Sequence, residues 1–130
     1  MSLVSRIGVL VGRIGREVKS KVDAGHPGLA RAWVCFGYVG NQVVVRAAHN
    51  VASVTRLAAG RYRVHFASPL PDANYAWVGV ARSSTNSGTQ RLLIVRATAD
   101  EKAPMHVDVG CATTAASFAD SPEIDLVVYR

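Results

Sequence analysis

Four histidines, two cysteines and a short acidic run are the side chains of this 130-residue chain with the chemistry to hold a metal, move a proton or attack a substrate. His26, His49, His65 and His106 are scattered, and no HExxH, GxSxG or phosphate-cradling glycine pattern accompanies them. They read as surface or interface histidines; the one ligand geometry left open is a threefold axis, where His106, alternating with Met105 and Val107, would occur three times. Cys35 and Cys111 each lie in an apolar segment with no CxxC or Cys/His ligand spacing, so a zinc site is not expected. Two buried thiols of a protein assembled in a reducing compartment are expected, with a disulfide left open. Asp120, Glu123 and Asp125 are two or three residues apart and do not form a glycosidase pair, which needs carboxylates opposed across a sugar. They read as solvated acidic surface. No catalytic residue, metal or cofactor is therefore expected. Trp33, Trp77, Tyr38, Tyr62, Tyr75 and Tyr129 have rings suited to stacking on sugars, but most fall at core-facing positions of alternating segments, where packing is the better reading.

The elements that must position these groups are of two kinds. Val4, Ile7, Val11, Ile14 and Val18 are spaced three, four, three, four, which puts valine at each a position and isoleucine at each d position of a heptad. Leu3 and Leu10 widen the stripe at g, and β-branched residues at both seam positions favour a trimer or tetramer over a dimer. A parallel trimer is expected. Gly8, Gly12 and Gly15 each weaken the helix by about 1 kcal/mol relative to alanine, so so short a helix needs partner chains or a docking surface. Two alternatives are an amphipathic helix packed on its own domain and a membrane-surface helix, the latter without an aromatic anchor. Gly25, Pro27 and Gly28 then break the helix.

From residue 31 onward the pattern is β. Tyr62, Val64 and Phe66 alternate with Arg61, Arg63 and His65, and Pro69 and Pro71 stop the ladder because neither can donate a backbone hydrogen bond. Similar segments predict strands near 31–38, 42–47, 50–57, 61–67, 74–82, 91–98, 105–111 and 123–129. The predicted fold is mainly β: an antiparallel β-sandwich, jelly-roll-like, of about eight strands, preceded by a short N-terminal coiled-coil helix. Gly40-Asn41 and Ala59-Gly60 supply tight turns. Residues 1–24 form the oligomerisation or attachment helix, 25–30 a linker and 31–130 the sandwich. The polar stretch containing Ser83, Ser84, Thr85, Asn86, Ser87, Thr89 and Gln90 is an exposed loop and the first candidate for receptor contact, with 112–120 the second.

With 49% hydrophobic residues the chain suits one compact domain plus an appendage. Only 18% of residues are charged and the mean hydropathy is +0.16, so some apolar surface is expected to meet other chains. The net charge is +6 and uneven: residues 1–31 hold six basic against two acidic side chains. Such an excess can favour nucleic acid or an acidic protein, but basic positions spread along a helix read better as a solvated face. Arg6 and Arg13 interrupt the apolar start, so neither a secretory signal nor a membrane span is expected.

The order Ala32-Trp33-Val34-Cys35-Phe36, Asn50-Val51-Ala52-Ser53-Val54, Gly60-x-Tyr62-x-Val64-x-Phe66 and Pro71-Asp72-Ala73-Asn74-Tyr75 resembles a β domain of tail-fibre and related appendage proteins of tailed bacteriophages. The start, Leu-Val-Ser-Arg-Ile with Ile14-Gly15-x-Glu17-Val18-Lys19, is similar to the helical starts of such fibres, and Ile124–Tyr129 fits the usual closing strand. Gly37-Tyr38-Val39-Gly40 stands where the family has a polar Asp/Asn/Gly-rich hairpin, and the basic His65 is a second departure from the family pattern. The resemblance implies a virion structural protein assembled in the host cytoplasm, a homotrimer and not an enzyme, whose partners are itself, other tail or head proteins and a host receptor or glycan. Membrane insertion and nucleic-acid binding are not implied. Two further readings are a receptor- or glycan-binding head of the fibre and a capsid decoration or head fibre.

Overall fold

The computed structural model describes residues 2–21, 23, 25–83, 86 and 89–130. One helix, α1 (Leu3–Lys21), precedes eight strands: β1 (Ala30–Val39), β2 (Gln42–His49), β3 (Val51–Ala58), β4 (Arg61–Phe66), β5 (Ala76–Ala81), β6 (Arg91–Ile94), β7 (His106–Thr113) and β8 (Ile124–Tyr129). They form two four-stranded antiparallel sheets, ordered β2-β1-β8-β5 and β3-β4-β7-β6. All eight predicted strands are present. The segment predicted as 91–98 stops at Ile94 because the Asp100 carboxylate accepts the Arg96 backbone N–H at 2.7 Å and folds the chain into a local turn. The segment predicted from 74 begins at Ala76, since Asp72 accepts the Asn74 N–H at 2.8 Å.

Backbone chemistry sets the corners. Gly40 and Asn41 take φ of 60° and 61°, the pair of left-handed residues that closes a two-residue hairpin between β1 and β2. Gly60 turns β3 into β4 at φ 67°, where an added Cβ would lie 2.4 Å from the Cys111 carbonyl oxygen. Asn50 also has positive φ, 51°, at the point where the chain leaves the first sheet for the second. Its side chain accepts the Ser68 N–H at 2.8 Å and donates to the Arg31 and Ser68 carbonyls, tying that corner to the start of β1 and the end of β4.

The core lies between the sheets. Ala32, Val34 and Phe36 from β1 and Ile124, Leu126 and Val128 from β8 meet Tyr62, Val64 and Phe66 from β4 and Val107, Val109 and Cys111 from β7, with Leu70 and Tyr75 closing one end. The predicted face of β4 is the one that is buried, Tyr62, Val64 and Phe66, and the rings of Phe36 and Tyr62 meet edge to face at 5.2 Å. No residue of α1 contributes to this core, because none is buried. In this structure α1 is therefore not packed on its own domain.

Cross-strand pairing fixes the two ends of the sandwich. Ala30, Tyr129 and Ala76 lie side by side where the chain arrives from α1, while Phe36, Ile124 and Ala81 lie towards the other end. The β5–β6 and β7–β8 connections leave from that second end, opposite the helix.

Candidate functional site

Two features could meet other molecules: the unpartnered stripe of α1 and the loops at the far end of the sandwich. Ser2 caps the helix by accepting the Ser5 N–H at 3.2 Å, and Lys19 and Lys21 complement the negative helix terminus. Val4, Ile7, Val11, Ile14 and Val18 are all exposed, as are Leu3 and Leu10 beside them. On the heptad, Arg6 and Arg13 fall at c, Arg16 at f and Lys19 at b, all away from the seam, while Gly8 and Gly15 occupy e. Helices joined along the stripe would bury the apolar residues and leave these cations outside.

At the far end, Ser83 is half-buried and its Oγ donates to the Thr89 carbonyl at 3.3 Å; Asn86, Thr89 and Gln90 are exposed. Ser84, Thr85 and Ser87 lie outside the described residues. The Thr114 N–H donates to the Gln90 carbonyl at 3.2 Å, so the structure brings the two candidate loops together. Beneath them sits a residue whose role the sequence did not disclose. Asp120 accepts two hydrogen bonds from the Arg56 guanidinium, at 2.8 and 3.1 Å, one from the Gly60 N–H at 2.9 Å and one from the Tyr62 hydroxyl. Burial pushes its carboxyl up, but these donors more than offset that and hold it below the usual carboxylate range. Arg56 also lies over the Tyr38 ring at 4.3 Å. Asp120 is thus a buttress that fixes the second loop to the β3–β4 turn, rather than solvated acidic surface.

Glu123 and Asp125 do something different. With Cys35 they place three ligand-type atoms within 4.8 Å of one another on the outside of the first sheet. The hydrogen bond between the Cys35 thiol and Asp125, together with burial, raises the thiol's pKa, while Arg82 lies 3.3 Å from Glu123. Cys35 is only half-buried and Cys111 is fully buried; both are free. His106 does not stand open for a ligand, because its Nε2 lies 2.9 Å from Glu101. Of the six aromatic rings, Tyr62 and Tyr75 are buried and Tyr38 and Trp77 pack against the core, but Trp33 and Tyr129 face outward. No described helix is long and apolar enough to cross a membrane.

No family model, curated protein or solved structure matches the chain.

Proposed function

We propose that this chain is a structural subunit of a tailed-bacteriophage particle, a homotrimeric tail fibre or fibre-like appendage joined to the particle through its N-terminal helices. The observation that carries the reading is α1: a 19-residue helix with a Val/Ile heptad stripe from Val4 to Val18 and not one buried residue. A lone helix of this length containing three glycines is marginal in water, so its stripe needs a partner. Three copies meeting along the stripe would bury β-branched seam residues, place Gly8 and Gly15 at e where backbones approach, and turn Arg6, Arg13, Arg16 and Lys19 outward. The phage assignment comes from the ordered motifs that begin at Trp33, Asn50, Gly60 and Pro71. The role is mechanical and non-enzymatic.

A second reading, a receptor- or glycan-binding head, is favoured by the meeting of the 83–90 and 112–120 loops at the end opposite the helix, on a support made rigid by Asp120. Loops on a rigid β scaffold are common recognition surfaces. Tail and capsid positions share this architecture and are separated by locating the chain on intact particles. Removing residues 1–24 should abolish attachment while leaving a folded β domain; retained attachment would move the docking site into the sandwich. Binding of that β domain to host cells or glycans would add the second role.

A further inference from the structure

We propose that the outer face of the first sheet, β2-β1-β8-β5, is a contact surface between β domains, and that its occupant is a second copy of this chain. The proposal rests on the reading of α1 as an association helix and adds a second contact to it.

The two sheets treat their outer faces differently. The second sheet covers the middle of its own, though Leu92 at its edge is 50% exposed: Phe118 lies over Gly110, where an added Cβ would come within 2.9 Å of the ring, and Asp108 is 1% exposed beneath Arg63 and the Glu101 N–H. The first sheet carries two bare cross-strand rows. One is Trp33, Val127 and Val78, and the next is Cys35, Asp125 and Val80. Trp33 is 38% exposed, Val78 61% and Val80 66%. β5 is also apolar at all six positions, Ala-Trp-Val-Gly-Val-Ala, the pattern of a strand covered on both faces rather than one.

Charge points to a second copy as the cover. In the sandwich Asp72, Asp100, Glu101, Asp108, Asp120 and Glu123 all have cationic partners within their own chain. Asp125, in the middle of the bare face, has none within ion-pair distance among the described residues. Arg46 is the extra residue of the bulge opposite Cys35 and Phe36, at the edge of the same face, and it donates to the Pro122 carbonyl at 2.7 Å and meets no carboxylate among the described residues. Each copy thus leaves one acid and one cation on this surface, and a neighbour supplies the complement of both. The helical stripe alone is under three heptads long, so an assembly held there gains from a second buried patch with a tryptophan in it.

The test uses the full chain in analytical ultracentrifugation, with Val78→Glu/Val80→Glu and, separately, Asp125→Arg with and without Arg46→Asp. The expected result is an association constant at least tenfold weaker for the double-glutamate variant with unchanged circular dichroism. Asp125→Arg should weaken association likewise, and adding Arg46→Asp should restore it. In a Trp77→Phe background, acrylamide should quench Trp33 less in the assembly than after dilution to monomer, a readout that needs no surface variant to fold. A wild-type assembly that Ile7→Asp/Ile14→Asp disperses, but in which the sheet-face variants change nothing and Trp33 stays fully quenchable, would overturn the sheet contact and leave the helical reading intact. A wild-type monomer would overturn both.

Discussion

Asp120 shows how one carboxylate can hold several turns. Replacing it with alanine leaves the Gly60 N–H, the Tyr62 hydroxyl and the Arg56 guanidinium without their acceptor and should cost about 2 kcal/mol, read as a lower unfolding midpoint in denaturant. The same residue makes the molecule acid-sensitive together with Asp108. Burial raises Asp108, but hydrogen bonds from Arg63 and the Glu101 N–H more than compensate and hold it low. Unfolded aspartates titrate near about pH 4, above both folded values, so the unfolded chain binds more protons in that window. Stability should be full above about pH 4 and fall as the pH drops through and below it. At the alkaline side the sign reverses. Burial pushes Tyr75 up to about 12 and Cys111 up to about 11, so both stay protonated in the folded state where the unfolded groups ionise. Stability should therefore decline as the pH rises above about 9, where unfolded thiols and then phenols begin to ionise. Chemical denaturation across pH checks both limbs; a flat profile at either end would show that these groups are not differentially held.

Helix and sandwich are separable elements, since every core residue comes from the sandwich. Ile7→Asp/Ile14→Asp should disperse any assembly while shifting β-domain unfolding by less than about 0.5 kcal/mol, the usual range for exposed positions. A large loss of monomer stability would mean that α1 packs on the sandwich in solution. The strands were legible because half-buried antiparallel strands alternate, as β4 does residue by residue, and because Gly40-Asn41 has the chemistry of a two-residue hairpin. The end of β6 was not, because it depends on Asp100 capturing the Arg96 N–H, a local competition that apolar content does not reveal. Sheet order was not legible either: β8 enters between β1 and β5, partners distant in sequence. The outward phase of Trp33 follows from its alternation with the buried Ala32, Val34 and Phe36 on β1. The buttressing role of Asp120 left no sequence signal, since its donors come from positions 56, 60 and 62.

For the whole molecule, the chain arrives at one end of the sandwich from a helix with no buried residue, and it presents two joined loops at the other end. That polarity suits an appendage subunit anchored at one end and exposed at the other. The charge distribution agrees with it: carboxylates in the sandwich are mostly paired internally, whereas Arg6, Arg16, Lys19 and Lys21 have no acidic partner among the described residues. Without residues 1–24 the remaining chain should be a folded monomer, or a weakly associating one if the outer face of the first sheet contributes by itself. Assembly of the full chain through α1 is proposed, and sedimentation equilibrium at micromolar concentration reads it as a mass. The expected mass is three times that of the 13.8 kDa chain; a monomer with α1 intact would contradict assembly through the helix.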